Sequence, residues 1–224
     1  NVDGDFRYVS PKEFKEFGTF FKEDSNLCKQ KNVPYGYLSR LQVFKPGGII
    51  SKKLAQSRYS ILQVGSWLFV HGGITPKLAT EYTIDNVNRY IQDWLMGHDD
   101  IQTLTNVKNI YHRDDDENSP FWSRKLSDCD EWNDSSSSNE FYKTLDILNK
   151  KNRNTNSIKG MILGHSPQYM YNKGLNSACN NRLWRVDVGM SRAFGLVNNK
   201  ESVNRKVQIL VINNDKDFQI FKEQ

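Results

Sequence analysis

Two histidines stand where an apolar run meets glycine: Leu68-Phe69-Val70-His71-Gly72-Gly73 and Met161-Ile162-Leu163-Gly164-His165-Ser166. Each run can be buried as a strand, and each imidazole then falls at the point where the chain turns. Neutral imidazoles suit zinc, manganese or iron, and a two-sheet fold gathers its strand ends on one rim. The neighbouring glycines would let an anion or a metal approach closely. Either histidine alone also reads as a satisfied core residue. Together they make half a site, because a hydrolytic metal centre takes three or more protein ligands, usually with carboxylates among them.

The elements that must position them follow from caps and periodicity. Ser10-Pro11-Lys12-Glu13 has the form of a capping box, with Glu13 reaching back, and predicts a helix from Pro11 to about Phe21. Tyr35 to Gly48 reads as an irregular connector, broken by Pro46, Gly47 and Gly48. Tyr59 to Val64 and Trp67 to Val70 form a hairpin through Gly65-Ser66, and its second strand delivers His71. Ile84, Val87, Ile91, Trp94 and Leu95 recur at helical spacing up to a Gly97 cap. Asn139 caps another helix, with Phe141, Leu145 and Leu148 facing inward. Strands follow at Met161 to Leu163, Leu183 to Val188, Lys206 to Ile212 and Asp217 to Phe221, the last two joined around Asn213-Asn214-Asp215. Residues 113–139, rich in Asp, Ser and Asn, read as an exposed polar insertion interrupted by Pro120-Phe121-Trp122. Residues 150–159 form a basic, Asn-rich loop.

Length and composition bound the rest. The 224 residues suffice for one sizeable core, so a single domain over 1–224 is expected. The mean hydropathy of −0.71 describes a polar globular chain, and no apolar run is long enough to cross a bilayer. Cys28, Cys129 and Cys179 are far apart and suggest neither a disulfide framework nor a thiolate zinc site, so a reducing compartment, the cytoplasm, fits. The net charge of +5 arises from basic residues interleaved with acidic ones, which describes a solvated surface better than a nucleic-acid face. His98 and His112 are expected to face solvent. Asp114-Asp115-Asp116-Glu117 lacks the spacing of a calcium loop.

Five blocks carry a resemblance: Asn1-x-x-Gly4-Asp5-Phe6-Arg7-Tyr8-Val9-Ser10, Phe69-Val70-His71-Gly72-Gly73, Ser119-Pro120-Phe121-Trp122-x-Arg124, Gly164-His165-Ser166 and Arg185-Val186-Asp187-Val188-Gly189-Met190-Ser191. In this order they resemble the calcineurin-like metallophosphoesterases, most of all the Shewanella-like phosphoprotein phosphatases. The resemblance implies an α/β fold, the C-terminal portion of an αββα sandwich of two mixed sheets flanked by helices. It also implies a site for two divalent metal ions (Mn, Fe or Zn), where a metal-bridging hydroxide attacks a phosphomonoester in line. His71 and His165 would be metal ligands, and Arg124 would grip phosphate oxygens with its always-charged fork. Asp187 would orient a ligand histidine. The readings without chemistry are a surface Arg124 pairing with Asp114, Asp115 or Asp128, and Asp187 as a turn aspartate. Arg7 and Tyr8 could simply anchor the helix that follows them.

The family also carries a Gly-Asp, an Asp-Arg-Gly and a Gly-Asn-His-Glu block before the matched region, and none of these is in the sequence. The resemblance therefore implies an N-terminally incomplete domain that lacks the first metal's ligands and the general acid, and so is inactive by itself. The function expected is that of a metal-dependent phosphoesterase acting on phosphoproteins or small phosphoesters, with neither membrane nor nucleic acid as partner. The alternative is a non-catalytic phospho-binding or interaction module on the same scaffold.

Overall fold

The computed structural model describes residues 9–111, 119–127, 135–151, 156–191 and 205–223, except for the side chains of 135–137. Arg7, Tyr8, His112, Asp114 to Glu117, Asp128 and Cys129 lie outside the described residues. The chain divides into two compact units, Asn1–Arg58 with Tyr90–Leu104, and Tyr59–Arg89 with Thr105–Gln224.

The first unit is helical: α1 (Pro11–Phe20), α2 (Ser25–Gln30), α3 (Tyr37–Phe44) and α4 (Ile49–Ser57). Ser10 caps α1, its Oγ accepting from Glu13 N at 3.1 Å. The return bond of the capping box is replaced, because the Glu13 carboxylate accepts instead from Arg40 Nε at 2.6 Å. The expected irregular connector from Tyr35 to Gly48 contains α3. The breakers flank Tyr37–Phe44 without interrupting it, and the Glu23 carboxylate accepts the N–H groups of Gly36 and Ser39, supplying the anion that a helix start favours.

The second unit holds the site. Its five-stranded sheet has the order β1-β2-β3-β5-β4, with β1 at Ile61–Val64, β2 at Trp67–Val70, β3 at Gly160–Leu163, β4 at Asn176–Ala178 and β5 at Leu183–Arg185. The three central strands are parallel, and the edge strands β1 and β4 pair antiparallel to them. A ribbon of β6 (Gln208–Asn213) and β7 (Asp217–Lys222) forms a separate two-stranded sheet. Its turn is the one read from Asn213-Asn214-Asp215: Asn214 and Asp215 are left-handed at φ 51° and 65°, which suits the twist of a hairpin.

Side-chain alternation gives the sheet two faces. Trp67, Ile162 and Trp184 cluster with Leu175 and Val188, and the ribbon packs there through Leu210, Ile212 and Phe218. Leu68, Met161, Leu163 and Leu183 alternate with them and are fully buried. Helices α5 (Pro76–Glu81), α6 (Ile84–Met96), α7 (Ile101–Tyr111) and α8 (Ser135–Lys151) complete the chain, α6 and α7 crossing the division between units. The protein is thus mixed α/β, with a mixed sheet and helices. Among the described residues the second sheet is this antiparallel pair, its successive strands joined by a tight turn.

The region read as an exposed insertion is partly interior. Ser119, Ser123, Leu126 and Ser127 are buried, and α8 begins at Ser135, before the expected Asn139 cap. Phe141, Leu145 and Leu148 are buried as expected. Strand β5 stops at Arg185, short of Val188. Cys28 and Cys179 are free thiols, and His98 is exposed beside Asp93. No helix among the described residues is long and apolar enough to cross a membrane.

Candidate metal and phosphate site

Register alone brings the two histidines together. Val70 of β2 pairs with Leu163 of β3, so the chains leave the sheet side by side at their C-terminal ends. Gly164 N then donates to His71 O at 3.0 Å, and the next residue is His165. His165 Nδ1 lies 3.1 Å from His71 Nε2, with the rings edge to face. Strand β5 ends at the same rim, where Val186 N donates to Leu163 O at 2.9 Å, and Asp187 follows. The C-terminal rim of parallel strands is where open α/β sheets bind ligands.

His165 adopts φ 69°, a left-handed conformation that costs a side-chain-bearing residue about 1–2 kcal/mol. That conformation aims the ring at His71. The surrounding protein partly desolvates His71, which remains an exposed residue, and so holds its pKa below the usual histidine value. The Asp187 carboxylate opposes this shift, and the Arg124 guanidinium adds to it. His71 is therefore neutral at pH 7, the form that ligates metals.

Arg124 comes to the rim on the segment 119–127. Gly72 N donates to Pro120 O at 2.6 Å, and a Cβ on Gly72 would meet Ser123 O at 2.8 Å. The glycine after His71 thus admits a protein backbone where the sequence suggested an anion or a metal. Arg124 Nη1 makes a long contact of 3.5 Å with Ser166 Oγ, and Ser127 Oγ bonds Ser166 Oγ at 2.7 Å. The structure therefore brings Arg124, His71 and His165 into one place. Asp187 joins them through its charge, while its Oδ1 accepts from Gly189 N at 2.9 Å, as in a turn.

The imidazole spacing is that of a hydrogen bond between the rings, and it also fits a shared cation. Two nitrogens each about 2.1 Å from one metal are about 3.0–3.4 Å apart for octahedral to tetrahedral angles, and the observed separation is 3.1 Å. No group of three or more His, Cys, Asp and Glu side chains able to hold a metal occurs among the described residues. A cavity of about 890 Å³ between the sheet and the ribbon is lined by Phe69, Ile162, Ile209, Ile212 and other largely apolar residues, and includes neither histidine.

Sequence reasoning missed Trp122, whose ring stands 5.9 Å from that of His165, as well as Ser127 and Gln168. Trp122 lies in one of the five blocks that carry the resemblance, which assigns it no role. For the other two no signal existed, since neither a serine in a polar stretch nor a glutamine after a proline shows that it is interior.

No family model matches the chain. It is 31% identical over 235 residues to an uncharacterized protein of Acanthamoeba polyphaga mimivirus, covering 98% of this chain and 86% of that protein. The chain belongs to the family of that viral protein. This family member is also similar to Shewanella-like protein phosphatase 2 of Arabidopsis thaliana (28% identity, 86% of the chain) and Shewanella-like protein phosphatase 1 of Plasmodium berghei (26%, 85% of the chain). It spans about half the length of these two relatives, 51% and 44%. Among solved structures, a mutant of a cold-active protein tyrosine phosphatase shares the fold with a TM-score of 0.53 at 19% identity, over 96% of this chain and 50% of that one.

Proposed function

We propose that this chain supplies one part of the active site of a metal-dependent phosphomonoesterase, with His71 and His165 as metal ligands and Arg124 as the phosphate clamp. The observation that carries the reading is the pair of imidazole nitrogens 3.1 Å apart, delivered by adjacent parallel strands beside an arginine. The names of the two phosphatase relatives support it. Divalent ions (Mn, Fe or Zn) would supply Lewis-acid charge and activate water. The residues of this chain do the rest. His71 is kept neutral, so its nitrogen lone pair is available at pH 7. Arg124 offers a planar fork of donors to phosphoryl oxygens and cannot lose its charge. Asp187 sets a negative charge near His71. The remaining metal ligands and the general acid are assigned to residues other than those described. The substrate is a phosphorylated protein or a small phosphoester.

The test is hydrolysis of a phosphomonoester by the full-length protein with added Mn²⁺ or Zn²⁺. Metal-dependent turnover that falls together with metal content in His71→Ala and His165→Ala is expected. Phosphate binding with no metal-dependent turnover would favour the second reading, a phospho-binding module, since His71 and His165 belong to no group of three or more possible ligands among the described residues.

A further inference from the structure

We infer that Gln168 is a positioning residue that holds the Arg124 segment in register with His165, an inference that rests on the phosphate role proposed for Arg124. Gln168 opens a short 3₁₀ turn, Gln168–Tyr171, and is fully buried. Its Nε2 donates to Ser127 O at 3.1 Å and to Ser166 O at 2.9 Å. Its Oε1 accepts from Asn176 Nδ2 at 2.9 Å, and its backbone N–H donates to Asp187 O at 2.8 Å. One side chain thereby ties Ser127, three residues after Arg124, to the residue after His165, and its main chain ties both to Asp187.

The geometry gives this junction a purpose beyond filling the core. Ser166, whose carbonyl Gln168 holds, is also the residue whose Oγ lies 3.5 Å from Arg124 Nη1 and 2.7 Å from Ser127 Oγ. Arg124 is exposed on a segment without helix or strand, so the direction of its guanidinium depends on such side-chain bonds. Both amide hydrogens of Gln168 are used, and a fully satisfied buried amide in a low dielectric permits one arrangement of its neighbours. A side chain of similar size without donors would leave the two carbonyls buried and release the segment from the rim.

The experiment measures inorganic phosphate affinity by calorimetry, and amide hydrogen exchange over 119–127, in the full-length protein carrying Gln168→Leu, Arg124→Ala, or both. Gln168→Leu should weaken phosphate binding about tenfold and speed exchange over 119–127, with no further weakening when Arg124 is already alanine. Unchanged phosphate affinity in a folded Gln168→Leu protein would overturn the inference, as would an equal loss in the Arg124→Ala background. If Arg124→Ala itself leaves phosphate binding intact while Gln168→Leu quickens the exchange, the phosphate reading fails and the anchoring stands. Unchanged exchange refutes the anchoring itself. Should Gln168→Leu fail to fold, Asn176→Ala, which removes the donor to Oε1 along with that residue's bond to Gly174 O, is read in the same way, with a weakening of about threefold expected and wild-type affinity as the contrary result.

Discussion

At the start of β2, the Asp215 carboxylate accepts from Ser66 N at 3.1 Å and from Lys159 Nζ at 3.3 Å, and its carbonyl accepts from Trp67 Nε1 at 3.3 Å. At the far end of the same strand, His71 faces a second imidazole and a guanidinium bears on its charge. The first end brings opposite charges and matched donors together, so its polar groups are consumed inside the fold and stabilise it. The second gathers groups of the same kind. Two neutral rings can share one hydrogen bond at most, a cation would engage both lone pairs, and an arginine beside them favours an anion. A left-handed non-glycine residue stands at each end, Asp215 at the first and His165 at the second. A strand that is anchored at one end can hold ligand-ready groups at the other.

The contrast can be broken most strongly at the histidines. His71→Ala or His165→Ala in the full-length protein should lower metal-dependent hydrolysis by about two orders of magnitude or more, with bound metal falling in parallel by mass spectrometry. His165→Gly sharpens the point, since glycine accepts a positive φ at little cost. Its melting temperature should match or exceed that of the wild type while metal is lost, and a clear drop in Tm would show that the ring stabilises the fold. Next in size, Arg124→Ala should weaken inhibition by phosphate or vanadate about 10- to 100-fold, the worth of a charged hydrogen bond, with metal content unchanged. Unaltered inhibition would return Arg124 to the surface.

Gly72→Ala tests the approach between segments. Its Cβ would meet Ser123 O at 2.8 Å, so the 119–127 segment must shift. A destabilisation of about 1–3 kcal/mol, the usual cost of overpacking, is expected in denaturant titrations. The smallest effect lies at the opposite end. Hydrogen bonding with Ser66 chiefly, helped by Lys159, holds the Asp215 carboxyl below the ordinary aspartate range. Its ionised form therefore favours the folded state above the unfolded-chain value of about 3.9, and this contribution is lost as pH falls through the lower folded value. Asp215→Asn should lower Tm at pH 7 and converge on the wild type below about pH 4, with metal and phosphate binding untouched throughout. A loss of phosphate affinity in that variant would erase the distinction between the ends.

Much of this is legible in the sequence. Leu68 to Val70 and Met161 to Leu163 announce buried strands, and the histidines that follow them meet because parallel neighbours end together. Ser10 and the Asn214-Asp215 turn declare themselves through local hydrogen bonding and backbone preference, which need no tertiary partner. Helix α3 was hidden because its supports are remote: the Glu23 carboxylate that receives its first N–H groups lies outside the segment, and the nearby prolines and glycines suggested a loop. The packing of Ser119 to Ser127 was equally hidden, since Ser127 is buried there by bonds to Ser166 and Gln168, far along the chain. Gln168 shows the limit most clearly. Its burial depends on three carbonyls and an amide from four different segments, and no local pattern records that.

The most direct test of the account is pulsed electron paramagnetic resonance of Mn²⁺ bound to the full-length protein labelled with ¹⁵N-histidine. Couplings from two imidazole nitrogens are expected, with one lost in His71→Ala and the other in His165→Ala. A spectrum without histidine coupling, or one that neither substitution alters, would contradict the assignment of the two strand-end histidines as ligands.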